Sequence, residues 1–154
     1  MAFYSFDTSS LLNGRRDLLP PAVFRSVWEN IEAAIADGDI RSVDVVRDEL
    51  SKRDDEVLAW AKSQPALFIP LEPEIQRATS EVLRAHPKLM GQGGGRNAAD
   101  PFVIGLASAR GGTVVTQETM SGNLQKPRIP DACQALGVQW TTLVGFLSQQ
   151  GYTY

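Results

Sequence analysis

Cysteine and histidine are almost absent from this sequence, which contains one of each, Cys133 and His86. A single cysteine can form neither an internal disulfide nor a thiolate zinc site. A single histidine excludes most zinc-hydrolase sites and Ser-His-Asp triads. We therefore expect both residues to be structural, and any chemistry to depend on carboxylates, hydroxyls and cations.

Long apolar runs and an excess of basic charge are also missing. No apolar segment approaches the roughly 20 residues that a membrane-spanning helix needs, and the N-terminal residues lack the pattern of a signal peptide. We therefore expect a cytoplasmic protein with no membrane contact. The formal net charge is −3, which disfavours nucleic-acid binding by bulk charge alone. An acidic pocket filled with divalent cations can still attract a phosphodiester.

The order of apolar segments predicts the fold class. The length of 154 residues, 43% of them hydrophobic, is typical of one globular domain, here residues 1–154. Strands are predicted at 3–6, near 39–41, at 113–116 and at 138–141. Helices are predicted from Pro20-Pro21 to Gly38, from an N-cap at Ser42 past Leu50, from Pro73 to before Pro87, and at 102–110, 130–136 and 143–149. This alternation predicts a three-layer α/β/α sandwich with a central, mainly parallel sheet.

Two segments are predicted to be irregular. Residues 65–73 are expected to be a connector that contains a small apolar piece at 67–69. Residues 91–95 are glycine-rich and are expected to form a flexible loop. We do not interpret them as a phosphate cradle, because no strand precedes them and the Lys-Ser/Thr ending of a P-loop is missing.

Four acidic residues occur where strands and helices begin or end. Asp7 follows the first strand, Asp100 precedes a helix, and Glu118 follows the strand at 113–116. Glu49 lies inside a helix, at the border between its apolar and polar faces. Because ligands of open α/β sheets bind beyond the carboxyl ends of the strands, these four acids could meet at one site.

Such a cluster of carboxylates predicts divalent cations. Like charges raise each other's pKa, and Mg²⁺ or Mn²⁺ removes that penalty while preferring oxygen ligands. One or two such ions can hold a phosphodiester and activate water. The hydroxyls of Ser9 and Thr116 are expected to orient the acids or to contact a phosphate. Candidate phosphate contacts are the cations that follow two of the strands: Arg15, Arg16, Lys126 and Arg128.

Each acid also has an ordinary structural explanation. Asp7 can be a turn residue, Asp100 a helix N-cap, and Glu49 and Glu118 solvated surface acids. Asp131 can stabilise the first turn of a helix or add a ligand. The sequence leaves open whether Glu118 or Asp131 is the fourth acid of the site.

Four segments carry a resemblance to a known family: FDTSSLL (6–12), VVRDEL (45–50), ADPFVIGLASARGGTVVTQE (99–118) and IPDACQALGV (129–138). In their order and spacing they resemble the PIN-domain family of metal-dependent nucleases. The resemblance covers nearly the whole chain. Within that family, the sequence most resembles a bacterial subfamily known only as a PIN-like domain of unknown function.

The resemblance implies an activity and partners. It implies a Mg²⁺- or Mn²⁺-dependent endoribonuclease that cleaves RNA, often the toxin of a type II toxin–antitoxin pair, with a cognate antitoxin and often as a homodimer. Asp7, Glu49 and Asp100 correspond to the three core acids of the family, and Ser9 to a small polar residue after the first acid. Glu118 occupies a fourth position that is more often aspartate, so the number of metals stays open.

Other functions are compatible with the same residues. The main alternative is a non-catalytic PIN-like scaffold that binds RNA or a protein partner. Receiver and phosphatase domains also cluster acids at strand ends. A phosphatase of that type would have an aspartate where this chain has Ser9, and a receiver domain would have a lysine after a late strand.

Overall fold

A single parallel sheet organises the computed structural model, which describes residues 2–90 and 98–154. Its five strands lie in the order β3-β2-β1-β4-β5, and every neighbouring pair among them is parallel. They are β1 (Tyr4–Phe6), β2 (Ile40–Val43), β3 (Phe68–Ile69), β4 (Thr113–Val115) and β5 (Gln139–Thr141). The predicted α/β architecture with a parallel sheet is confirmed, and the possible strand near 39–41 is β2.

Helices connect these strands and cover the sheet. They are α1 (Thr8–Asn13), α2 (Arg25–Asp37), α3 (Asp44–Ser51), α4 (Asp55–Lys62), α5 (Pro73–Ala85), α6 (Asp100–Arg110), α7 (Ile129–Leu136) and α8 (Leu143–Gln149). A π-helical segment, Gly14–Leu18, continues α1, and short 3₁₀ turns occupy Pro65–Leu67 and Pro87–Met90. In the part of the chain that the structure describes, no helix combines the length and apolarity needed to cross a membrane.

The central strand β1 contacts a helical layer on each face. Tyr4 and Phe6 meet the ring of Phe146 on α8 edge to face, with ring centroids 4.7 and 5.3 Å apart. Ser5, which points to the opposite face, donates a hydrogen bond to the carbonyl of Val103 on α6 at 2.8 Å. Alternate residues of a strand face opposite sides of its sheet, so this short strand joins both layers of the sandwich.

Several predicted helix ends are confirmed. Helix α2 ends at Gly38, where φ is 87°, and α6 ends at Gly111, where φ is 64°. Both angles lie in the left-handed region, which glycine adopts without a steric penalty. The helix predicted to run from Ser42 past Leu50 is followed by a break before Asp55, since α3 and α4 are separate.

Three local predictions need correction or lie outside the description. Ser42 is not an N-cap, because it belongs to β2 and its hydroxyl donates to the carbonyl of Phe6 at 2.7 Å. The apolar piece at 67–69 is not irregular, since Phe68 and Ile69 pair with β2 as an edge strand. The first helix and its π-helical continuation were not predicted. The glycine-rich segment 91–95 lies outside the described residues.

Candidate metal centre

Three acids from separate parts of the chain meet at the carboxyl edge of the sheet. One carboxylate oxygen each from Asp7, Asp100 and Glu118 lies within 4.8 Å of the other two. Asp7 follows β1 and caps α1, Asp100 is the first residue of α6, and Glu118 follows β4. The fold thus brings together three of the four acids that the sequence singled out.

Asp7 is buried and held by three hydrogen bonds. Its Oδ1 accepts from the backbone N–H of Thr8 at 2.7 Å, which caps α1. Its Oδ2 accepts from the hydroxyls of Ser9 at 2.6 Å and Thr116 at 2.9 Å. Burial raises the pKa of Asp7, and these hydrogen bonds oppose the rise. Ser9 and Thr116 thus both contact this acid, and their predicted functional roles stay a prediction.

Asp100 carries the least satisfied carboxylate of the three. Its side chain is 3% exposed, and its Oδ2 is buried with no hydrogen-bond partner among the described residues. Burial, followed by the charges of Asp7 and Glu118, raises the pKa of Asp100 to about 10. The N-cap of α6 is Ala99, and Asp100 makes no capping hydrogen bond. A capping role therefore does not explain this residue.

Glu118 is tied both to β4 and to α7. Its backbone N–H donates to Thr116 Oγ1 at 3.1 Å, and its Oε1 accepts from the N–H of Ile129 at 3.2 Å. Burial and the charge of Asp7 raise its pKa to about 7, although Ile129 and Arg128 oppose the rise. The hydroxyl of Thr116 thus links Asp7 to the backbone of Glu118.

Glu49 lies beside the three acids and uses both of its oxygens for protein contacts. Its Oε2 accepts from the hydroxyl of Thr8 at 2.7 Å, and its Oε1 accepts from the N–H of Ala99 at 3.0 Å. These two donors are the neighbours in sequence of Asp7 and Asp100. Glu49 is 9% exposed, and burial is the main reason why its pKa is raised. Glu49 therefore joins the two chain segments that carry the central acids.

Asp131 has a different environment. Its carboxylate accepts hydrogen bonds from the backbone of Ser121, Gly122 and Arg128 at 2.8–3.1 Å, and from the Ser121 hydroxyl at 2.9 Å. Burial alone would raise the pKa of Asp131, but these donors lower it to about 2. Asp131 closes the loop between β4 and α7. Of the two candidates for a further acid, the cluster contains Glu118.

The predicted phosphate contacts have varied surroundings. The guanidinium of Arg15 lies 4.7 Å from the ring centroid of Trp28 and 4.5 Å from that of Trp60. Arg16 forms an ion pair with Asp54 at 3.3 Å. Both contacts hold the π-helical segment against neighbouring helices, and a phosphate-binding role for these two arginines stays a prediction. Lys126 and Arg128 are exposed in the loop that Asp131 closes.

Sequence reasoning missed one residue of this centre, Thr8, whose hydroxyl connects the first helical turn to Glu49. Its position directly after Asp7 was the available signal. The two residues expected to be structural, Cys133 and His86, are buried. Burial raises the pKa of the Cys133 thiol to about 12, which suppresses the reactive thiolate.

The donor set of this centre fits a hard divalent cation. Three carboxylates with raised pKa values share a small buried volume, and a buried oxygen of Asp100 has no hydrogen-bond partner among the described residues. A buried acceptor without a donor costs free energy, and Mg²⁺ or Mn²⁺ would supply the missing positive charge. Nitrogen and sulfur ligands are not part of the cluster.

Comparison with known proteins gives the family and the fold. A family model described as "Domain of unknown function (DUF4411)" matches residues 4–154. No curated protein matches the sequence. Among solved structures, a chain of the DNA-bound VapBC from Salmonella typhimurium is 16% identical, with a TM-score of 0.57, over 93% of this chain and 99% of that one.

Two further solved structures agree with the first. VapBC2 from Rickettsia felis, bound to a DNA fragment from its promoter, is 15% identical with a TM-score of 0.54, over 91% of this chain and 98% of that one. FitAcB from Neisseria gonorrhoeae is 15% identical with a TM-score of 0.55, over 92% and 99%. Identities this low establish the fold alone. The chain belongs to the DUF4411 family of unknown function, and its fold is PIN-like.

Proposed function

We propose that this protein is a Mg²⁺- or Mn²⁺-dependent endoribonuclease, the toxin of a type II toxin–antitoxin pair. The observation that carries the proposal is the buried convergence of Asp7, Asp100 and Glu118 within 4.8 Å. A stable protein rarely gathers three like charges without a partner charge. A site for divalent cations explains why these acids are buried together.

The protein residues have distinct tasks in this proposal. The Oδ2 of Asp100, which lacks a hydrogen-bond partner among the described residues, is the most direct ligand. Asp7 is held in one orientation by Ser9 and Thr116, so its carboxylate is ready before an ion binds. Glu118 has one oxygen on Ile129 and offers the other to the centre.

Glu49 supports the same centre from the side. Its two oxygens hold Thr8 and Ala99, and each oxygen has a second lone pair that can still face a cation. A divalent cation held by these acids would supply Lewis-acid charge for a phosphodiester and for the activation of water. The carboxylates would hold it in a fixed position, which is their contribution to orienting the reacting groups.

The toxin role is supported by the resemblance of the sequence to PIN-domain nucleases and by fold similarity to chains of VapBC and FitAcB. On this basis we propose a cognate antitoxin and a homodimer as the partners of the chain. Expression together with the product of the neighbouring gene, followed by size-exclusion chromatography, tests the pairing. Two separate elution peaks under all conditions would contradict it.

The activity is tested with a mixed RNA pool, with Mn²⁺ and with chelator. We expect cleavage with Mn²⁺, none with chelator, and none for Asp7→Asn or Asp100→Asn. Asp37→Asn, an exposed acid at the end of α2, is the matched control and should cleave normally. Calorimetric titration with Mn²⁺ gives a second measurement, because Asp7→Asn should lose binding while its far-UV circular dichroism is unchanged.

RNA cleavage and RNA binding, each measured with and without Mn²⁺, separate the enzyme from a non-catalytic scaffold. A scaffold would bind RNA without cutting it, and its affinity would not depend on Mn²⁺. Cleavage that persists in both asparagine variants would refute the proposed site, since no ligand set without Asp7 and Asp100 is part of the proposal.

A further inference from the structure

The acids of the candidate centre form a row along one edge of the sheet. Strands β2, β1 and β4 are neighbours in that order. Glu49 belongs to the helix after β2, Asp7 follows β1, and Glu118 follows β4. Neighbouring strands lie about 4.8 Å apart, so the ends of β2 and β4 are separated by roughly 10 Å. The row therefore has two sides, with Asp7 between them.

An exposed arginine stands on the β4 side. Arg128 directly precedes Ile129, whose N–H binds Glu118. The backbone N–H of Arg128 donates to Asp131 at 2.8 Å, which fixes the position from which its side chain extends. Its guanidinium has a long contact of 3.3 Å with the Thr119 hydroxyl and is exposed.

A second exposed arginine stands on the β2 side. Arg53 lies four residues after Glu49, and its N–H donates to the carbonyl of Leu50 at 3.1 Å, so the helical turn continues beyond α3. Residues four apart on a helix lie on the same side. Each end of the acid row therefore has its own exposed guanidinium.

We propose that Arg53 and Arg128 bind two different phosphates of one RNA strand, on opposite sides of the phosphate that is cleaved. The strand then runs along the carboxyl edge of the sheet, from the β2 side to the β4 side. This inference rests on the proposed function, because it places the cleaved phosphate at the acid centre. Asp131 is a positioning residue in it, since it holds the backbone of Arg128.

The chemistry of the two groups suits this task. A guanidinium presents a planar fork of N–H donors that matches two phosphate oxygens. The whole chain has a formal net charge of −3, so a polyanion gains no affinity from the protein's overall charge. Local cations beside the centre must supply the attraction that orients the strand, and these two arginines each neighbour one end of the acid row.

Salt dependence measures these contacts. Each phosphate contact on a single strand contributes about 0.7 to the slope of log affinity against log salt concentration. We expect Arg53→Gln and Arg128→Gln each to reduce the slope by about that amount, and the double variant by about twice as much. Each single variant should raise KM for a short RNA about tenfold with little change in kcat.

Arg110→Gln is the matched control. Arg110 ends α6 and lies ten residues from Asp100 along that helix, which corresponds to about 15 Å. Its removal should leave the salt slope and KM unchanged. Fluorescence anisotropy with Mn²⁺ and a labelled RNA oligonucleotide whose scissile position carries an uncleavable linkage gives the slope without turnover. Thermal unfolding of every variant confirms that a change in binding is not a loss of fold.

Shortened oligonucleotides test the path of the strand. Removing nucleotides from the 5′ side of the cleaved bond should abolish the effect of one arginine substitution, and removing them from the 3′ side should abolish the other. The inference is overturned if one truncation removes both effects, or if both variants keep the wild-type slope and KM.

The failure of the proposed function has a different signature. If the wild-type protein cleaves no RNA with Mn²⁺, the nuclease proposal fails, whatever the arginine variants do in the binding assay. If the wild type cleaves RNA and the two arginine variants match it in KM and slope, the nuclease proposal is supported. The proposal that Arg53 and Arg128 bind the RNA strand is then refuted. A protein that binds no RNA at all refutes both.

Discussion

Removing one carboxylate from the candidate centre should make the metal-free protein more stable. Burial and the charges of Asp7 and Glu118 raise the pKa of Asp100 from 3.8 to about 10. At neutral pH the unfolded chain ionises this group freely, whereas the folded protein resists its ionisation. The free energy of unfolding therefore decreases as the pH rises above about 4. This decrease levels off near pH 10, the pKa of Asp100 in the folded protein. Asp100→Asn removes this penalty.

The size of the effect follows from the difference in pKa. Each pKa unit corresponds to about 1.36 kcal/mol, so at about pH 7.5 the penalty reaches roughly 5 kcal/mol. Partial entry of water into the centre reduces the expected gain, and we expect Asp100→Asn to be about 3–5 kcal/mol more stable than the wild type in chelator. At about pH 3 this carboxyl is protonated in most unfolded as well as folded wild-type molecules, and the difference should nearly vanish.

Urea unfolding in chelator, followed by circular dichroism at both pH values, measures this difference. Mn²⁺ provides the complementary test, because a ligand at 100 times its Kd stabilises by about 2.7 kcal/mol. For a chain of this size that corresponds to a rise in Tm of about 5–11 °C. The wild type should show this rise and Asp100→Asn should not, while Asp37→Asn should behave like the wild type. An Asp100→Asn protein that is less stable than wild type at both pH values refutes the reasoning.

Three further outcomes follow from the same contacts. The pKa values of Asp100 and Glu118 are raised to about 10 and about 7, so Mn²⁺ must displace a proton from each group below its pKa. Calorimetry should show the Mn²⁺ affinity falling up to about tenfold per pH unit between about pH 10 and 7, and more steeply, up to about 100-fold per unit, below about pH 7. Asp131→Ala should lower the free energy of unfolding, measured with urea at neutral pH, by about 2–3 kcal/mol. The stabilisation by Asp131 is present above about pH 4 and is lost as the pH falls through about 2. Thr116→Val should weaken Mn²⁺ binding about 10–100-fold, and an unchanged titration would show that the hydroxyl does not orient Asp7.

The features that the sequence predicted well depend on short segments. Asp7 ends an aromatic strand, and Asp100 stands before a proline at the start of an apolar helix, so local patterns sufficed to identify both. The parallel sheet followed from the alternation of strands and helices. Glu118 was found by its distance from a β-branched strand, although its hydrogen bond to Ile129 depends on a loop whose path local patterns do not determine.

The features that were missed depend on contacts between distant residues. Ser42 was interpreted as an N-cap because its hydroxyl partner, the carbonyl of Phe6, belongs to another strand. Strand β3 has two residues, too few to produce a periodic pattern. The π-helical segment packs closely at Gly14, where an added Cβ would lie 2.7 Å from Leu143. The enclosure of Arg15 by Trp28 and Trp60 likewise joins three separate segments.

The pairing of β1 with β4 constrains how this centre can change. Phe6 and Val115 are partners in the ladder, and Asp7 and Glu118 follow them by one and three residues. A slip of one residue would shift one strand by about 3.3 Å and turn its side chains to the other face. The register between β1 and β4 in the middle of the sheet therefore determines the distance between the two acids. Insertions within either strand would therefore disturb the separation of the two acids.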